Sequence, residues 1–321
     1  MKRLLGTGVL SATFLSLLSW AGAQQTQDAL QGQRSFGRFE LDTGTVDGLW
    51  VEAGVAHFQE RTRIRKLTVR DTVTFTTPFA RVAAGDGRLW EAGLLVPVVI
   101  REFDRDVDPA FEDNPDVLAL PLPFDDETGI GDIQAYGKAV PVRTDFFDLG
   151  AGLLLSFPSG DEDEGLGSGQ VGFLPSVGLL PSTVGAGTSK KGIGTGEVGF
   201  LPYATAALKF RTLELRAHGG YEWFTDETST AIEAAVYGGG LYYLYHPRFS
   251  LRADFVGLSA DVLGPDDDFV TFEPGFDLQM RIGPLDCVVR SFGAIGMTEV
   301  SPDWGVGGSV AVQMRSEAIG L

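Results

Sequence analysis

The sequence predicts an all-β fold, an antiparallel up-and-down barrel of about 12 strands. Three observations carry that prediction. Apolar and polar residues alternate with a period of two over stretches of about ten to thirteen residues. Every second connection between these stretches is very short, while the intervening ones are long and acidic. Beyond the N-terminal segment, no continuous apolar run is long enough for a transmembrane helix.

Composition narrows the alternatives. The chain has 321 residues, 25 Lys+Arg against 43 Asp+Glu, and a formal net charge of -18. An apolar content of 44% excludes a disordered chain. A single cysteine excludes a disulfide framework and a cysteine-based zinc cluster. The acidic balance argues against a nucleic-acid partner, because phosphate binding needs clustered Lys and Arg. With 43 Gly and 22 Phe, the chain favours strands joined by tight turns.

The N-terminus reads as an address. Lys2 and Arg3 precede an uncharged, largely apolar stretch from Leu4 to Leu18, and Ala21-Gly22-Ala23 supplies small residues for cleavage. Residues 1–23 are therefore expected to be a signal peptide. Residues 24–45 are expected to be a periplasmic lead-in or a segment folded into the barrel mouth. The barrel is expected over 46–315, with a short tail at 316–321.

The expected strands are 46–58, 66–83, 87–103, 129–142, 145–157, 197–210, 213–224, 231–245, 248–260, 268–281, 284–297 and 304–315. The clearest alternation is in 213–224, where Leu213, Leu215, Ala217, Tyr221 and Trp223 share one face and Glu214, Arg216, His218 and Glu222 the other. A helix would scatter these polar residues around its circumference. Short turns are expected at Ala84-Gly85-Asp86, Arg143-Thr144, Arg211-Thr212, Pro247 and Gly283. Acidic residues crowd the other end, as in Asp161-Glu162-Asp163-Glu164 and Asp266-Asp267-Asp268. Short turns at one end and long loops at the other fit a barrel of the bacterial outer membrane, with the loops outside the cell. Hydrocarbon cannot satisfy a backbone N–H, so the sheet must close on itself. Outer-membrane lipid and lipopolysaccharide, and the barrel-assembly machinery, are then the expected partners. Pro78, Pro97, Pro141, Pro202 and Pro274 fall within strands and are expected to mark bulges or strand ends.

Alternation assigns faces. The lumen is expected to be lined by Asp132, Gln134, Tyr136, Lys138, Glu214, Arg216, His218, Glu222, Arg252, Asp254, Glu273 and Asp277. Arg70, Arg101, Tyr203, Tyr237 and Tyr243 are placed there too. Tyr221, Trp223, Tyr242 and Trp304 are expected to form interface aromatics on the lipid side. Charges of both signs inside a narrow barrel should pair, either as a structural lattice or as a constriction that screens solutes.

An internal repeat joins Gly165–Pro175 to Gly192–Pro202 at a displacement of 27 residues, and the first copy is read as part of a long outer loop. These Gly-rich runs lack the Lys-Ser/Thr of a phosphate loop. Three scattered histidines, His57, His218 and His246, have no zinc spacing and no nameable nucleophile. No enzymatic activity, cofactor or metal is expected.

Gly129-Ile130-Gly131-Asp132, leading into an alternating strand through Lys138, resembles a strand of a bacterial outer-membrane family named for the MetA pathway of phenol degradation. Leu153 through Asp161, followed by Gly165-Leu166-Gly167-Ser168-Gly169, is similar to that family's L-P-T-G-D … G-L-G-S-G signature. The resemblance implies an outer-membrane barrel that passes small, aromatic or hydrophobic molecules. Two departures stand out. The duplication lengthens the loop after Asp161, and the chain ends in Ala318-Ile319-Gly320-Leu321 rather than in an aromatic residue. The alternative is a non-conducting structural or surface-display barrel with acidic loops.

Overall fold

The computed structural model describes residues 43–64, 69–107, 109, 126–160, 198–224, 234–259, 269–283, 285–298 and 301–319. The expected signal peptide at 1–23, residues 24–42, the first copy of the repeat, most of the acidic loop runs and the last two residues lie outside the described residues.

Thirteen ladder segments follow in chain order: β1 (Asp47–Ile64), β2 (Val69–Asp86), β3 (Trp90–Val107), β4 (Glu127–Ile130), β5 (Ile133–Arg143), β6 (Phe147–Phe157), β7 (Gly199–Phe210), β8 (Leu213–Phe224), β9 (Ala234–His246), β10 (Phe249–Ser259), β11 (Phe269–Ile282), β12 (Leu285–Gly296) and β13 (Trp304–Met314), then a short helix α1 (Ser316–Ile319). β4 and β5 lie end to end against β3, so the wall is a closed barrel of 12 strands. All pairs are antiparallel neighbours, and β1 meets β13 from Leu49↔Met314 to Gln59↔Trp304. Closure leaves the ladder without an edge along the span, as hydrocarbon requires.

The seam between first and last strands has its own fastening. Ser316 Oγ donates to Asp47 Oδ1 at 2.6 Å, and Gln313 Nε2 donates to the Asp47 carbonyl at 2.9 Å. Gly48 has φ +86, and a Cβ there would run into the Met314 carbonyl and the Ser316 amide. Only glycine fits that approach. The start of the helix therefore clamps the first strand to the last.

The expected strand ends fall within four residues of the observed ones, except that β1 runs on to Ile64 rather than stopping at 58; β1, β2 and β3 are each 18 residues long. The first short turn is Gly87–Leu89 rather than Ala84–Asp86. Asp86 Oδ1 accepts the backbone N–H of Arg88, Leu89 and Trp90, and Gly87 supplies φ +70. An Asp-Gly pair at this position is a turn signal in its own right. At the other end β1, β2 and β3 run past their neighbours. The β13 ladder stops at Gln59, and the β4 ladder at Arg101.

The strand prolines act as expected in one case and more mildly in the others. A register shift lies between Ala139 and Val142, around Pro141. Pro202 and Pro274 interrupt the β7–β8 and β11–β12 ladders but keep their places in the ladder on the other side. A proline lacks only its own donor, so one side of the strand suffers.

The outward face is apolar. Val51, Val55, Leu94, Leu153, Leu215, Leu241, Leu251, Phe276 and Val310 are exposed around the wall. A belt of this kind on a closed barrel faces hydrocarbon. Tyr221, Trp223 and Trp304 are on this exposed face. Tyr242 is not. It is buried inside the barrel, whereas Tyr237 and Tyr243 point outward and are exposed. β9 carries apolar residues on both faces, so period two gives no parity there, and pairing with β8 and β10 decides it. Arg70 is likewise exposed on the outer face, not in the lumen.

Candidate functional site: the barrel lumen

Inward positions near the short-turn end carry a chain of ion pairs. Arg81 Nη1 lies 2.9 Å from Glu52 Oε2. The other Glu52 oxygen faces Arg290 Nη1 at 3.5 Å and accepts the Ser309 hydroxyl at 2.5 Å. Arg290 Nε is 3.5 Å from Asp277, and Arg252 Nε is 3.9 Å from the same carboxylate. Arg252 also lies 4.0 Å from Asp254, which accepts the Tyr242 hydroxyl at 2.7 Å. The guanidinium of Arg216 stacks 4.0 Å above the Tyr242 ring, and its Nε contacts Glu214 at 2.6 Å. The belt spans the eight neighbouring strands from β2 through β1 and β13 to β8, and six of them supply charges that alternate in sign: Arg81, Glu52, Arg290, Asp277, Arg252, Asp254, Arg216, Glu214. On β3 and β5, Glu91 meets Lys138 at 3.6 Å and takes the Tyr136 hydroxyl at 2.6 Å. All these charged side chains are buried. A buried charge is tolerated only with partners at hand, and here each has one.

One step of two residues along the strand, about 7 Å, the lining changes. Arg81 gives way to Phe79 on β2, Arg290 to Phe292 on β12 and Lys138 to Tyr136 on β5. These rings lie along the wall. A Cβ on Gly54 would come within 2.6 Å of Phe79 Cζ, and one on Gly93 within 2.6 Å of Tyr136 Cε1. Gly307 and Gly305 make the same room for Phe292 and Phe58, and Gly152 for Tyr203. A glycine on one strand thus receives the ring of the next, which covers bare backbone and holds the ring flat. Phe58 and Phe292 are 6.1 Å apart between centroids. Leu154, Leu201, Val256 and Leu258 belong to the same buried apolar cluster.

The expected lumen residues fall as follows. Lys138 joins Glu91, while Glu214, Arg216, Arg252, Asp254 and Asp277 are in the continuous belt. Asp132, Gln134, Glu222 and Glu273 are buried farther along their strands, and His218 is half-buried opposite Gly238. Asp132 is part of a local clamp. Its Oδ1 accepts the Gly160 N–H at 3.0 Å, while the Ser159 hydroxyl donates to the Gly131 carbonyl at 2.9 Å and accepts the Ile133 N–H at 2.8 Å. The Gly131-Asp132 break between β4 and β5 is therefore bridged by the Ser-Gly after β6. The two motifs that carry the family resemblance hold each other.

Four of these buried charges lie outside the expected set: Glu52, Arg81 and Arg290 in the belt, and Glu91 beside it. Each is the one charge amid a short apolar stretch of its strand, and lipid would force such a residue inward. At the short-turn mouth, Arg143 donates to the Thr43 carbonyl at 2.9 Å, and the Val46 N–H donates to Glu91 at 2.6 Å. The lead-in just before β1 is therefore tucked inside the rim.

Solved structures similar to the chain are barrels of the outer membrane. An outer membrane channel from Pseudomonas putida F1 matches with a TM-score of 0.52 at 12% identity, over 85% of this chain and 98% of that one. The chain is an outer-membrane β-barrel. The translocator domain of autotransporter NalP from Neisseria meningitidis matches at 0.45 and 12% identity, over 97% of the barrel's chain and 100% of its own. The CymD monoaromatic hydrocarbon channel matches at 0.37 and 10% identity, over 92% and 93%. At such identities the likeness concerns the fold. No protein-family model matches the barrel's sequence, and no curated protein does.

Proposed function

We propose that the barrel is a passive channel for small molecules with an uncharged aromatic or hydrophobic body, and that it is a member of the phenol-degradation family its Gly-Ile-Gly-Asp motif resembles. The observation that carries this reading is the change of lining within one lumen. The rings seated on glycines form a buried apolar storey, and a planar solute would meet their faces as that storey opens to admit it. Next along the path, every charge of the belt has a partner of opposite sign, so the belt adds little net field. An ion gains nothing from such a belt, and a neutral solute loses nothing.

Uptake of a neutral phenolic solute by porin-deficient cells tests the proposal. Cells expressing the barrel should take it up faster than cells without it, and faster than cells expressing Gly307→Trp, which fills the space of the Phe292 ring. Equal uptake in all three, with the barrel correctly inserted, would favour the non-conducting structural barrel.

A further inference from the structure

The chain carries a net charge of -18, yet residues 61–70 hold five basic residues and no acidic one. Of these, Arg61 and Arg63 on β1 and Arg70 on β2 lie where β1 has run past the end of β13. Outward positions along β1 pass from Val51 and Val55 through His57 and Gln59 to Arg61, from the apolar band into charge. Arg61 is exposed, as is Arg70 on β2. In the register Arg63 stands directly opposite Arg70.

The base of this face is prearranged. The Gln59 side-chain carbonyl accepts from Trp304 Nε1 at 2.9 Å and from Arg61 Nη2 at 2.7 Å. The His57 ring packs at a tilt against Trp304, 5.3 Å between centroids, and shares a hydrogen bond of 2.9 Å with Thr76 Oγ1. An indole at the end of the apolar wall marks the membrane interface. Arg61 is two residues beyond it, about 7 Å farther out. On the far side, β3 presents Glu102, Asp104 and Asp106 outward, opposite Thr74, Thr72 and Arg70. These acids temper Arg70, while Arg61 lies on the Trp304 side of the face and is held by Gln59.

We propose that this outward face of the β1–β2 extension, with Arg61 and Arg70 above Trp304, is a binding surface for the phosphorylated glycolipid headgroup of the outer leaflet. Guanidinium groups recognise phosphate through paired N–H donors, and the indole face packs against a sugar ring. The acyl chains continue down the apolar wall below.

Delipidated barrel in detergent is titrated with bisphosphorylated lipid A and with its dephosphorylated form, and bound lipid is counted by native mass spectrometry. The bisphosphorylated form should bind at least tenfold more tightly, and an excess of inorganic phosphate should not displace it. A triple variant, Arg61→Ala, Arg63→Ala and Arg70→Ala, should lose on the order of a hundredfold in affinity. Arg248→Ala with Arg281→Ala, at the opposite rim, should lose none. Heat-shifted gel mobility checks that each variant is folded. Equal binding of the two lipid forms overturns the proposal whether or not the triple variant folds. So does unchanged affinity in a folded triple variant, or full displacement by inorganic phosphate.

Discussion

Within two residues on β2 and on β12, an inward arginine is replaced by an inward phenylalanine: Arg81 by Phe79, and Arg290 by Phe292. The neighbouring strands change with them. Glu52 gives way to Gly54 on β1, and Ser309 to Gly307 on β13. Each storey is complementary within itself. In the belt an arginine meets a carboxylate, and in the storey beyond it a ring meets a glycine. Charge is matched by opposite charge and bulk by missing bulk, so both layers lie along the wall. The two differ in how they should fail. An ion pair that loses one member leaves a bare charge, whereas a ring that loses its seat can still swing aside.

The largest effect is expected from Glu52→Ala. Glu52 lies between Arg81 and Arg290 and also takes the Ser309 hydroxyl and the Trp50 indole N–H. Removing it leaves two buried guanidinium groups without their shared counter-charge, at a cost of about 3–5 kcal/mol. Urea unfolding of the barrel in detergent, followed by loss of the heat-shifted band, reads that cost. A loss under about 1 kcal/mol, the range of a solvated pair, would mean that water reaches the belt and that the contrast between the storeys is false.

The legibility of the molecule divides along similar lines. The closed barrel could be read because lipid on one side and a polar interior on the other impose period two, and β8 obeys it through most of its length. The lipid-side Trp223 and Trp304 followed from that same rule. Tyr242 did not, because β9 has Tyr237, Leu241 and Tyr243 on one face and Val236, Tyr242 and Leu244 on the other. Without a polar face a strand has no readable parity, and its pairing with β8 and β10, which gives Tyr242 its hydrogen bond to Asp254 and its Arg216 stack, shows which way it turns. Parity places five of the eight belt charges, Glu214, Arg216, Arg252, Asp254 and Asp277, but not their order around the ring. Arg290 reaches Glu52 across the intervening β13, and that contact depends on closure rather than on sequence spacing. The glycine seats were hidden for a related reason: Gly54 and Phe79 are 25 positions apart, and the register alone brings them opposite.

A smaller loss, about 2 kcal/mol, is expected for Gly54→Ala, because the new methyl group meets Phe79 Cζ and the Gly308 carbonyl at 2.6 Å. Phe79→Leu in the same chain should restore most of it if the ring is the obstacle. If the double variant is no more stable than Gly54→Ala, the backbone contact dominates, and the seat is a strand-packing feature rather than a place for the ring.

The smallest effect separates the two kinds of complementarity within one residue. Tyr242 belongs to the belt through its hydroxyl on Asp254 and resembles the ring storey through the face it offers Arg216. Tyr242→Phe removes the first and keeps the second, and should cost about 1.5 kcal/mol, the contribution of one hydrogen bond to a charged group. Tyr242→Leu should cost more, since the cation–π contact goes as well. Equal losses in the two variants, measured by the same urea titration, would mean that the Arg216 stack contributes nothing and that the belt at β8–β10 rests on its ion pairs and the Tyr242 hydrogen bond alone.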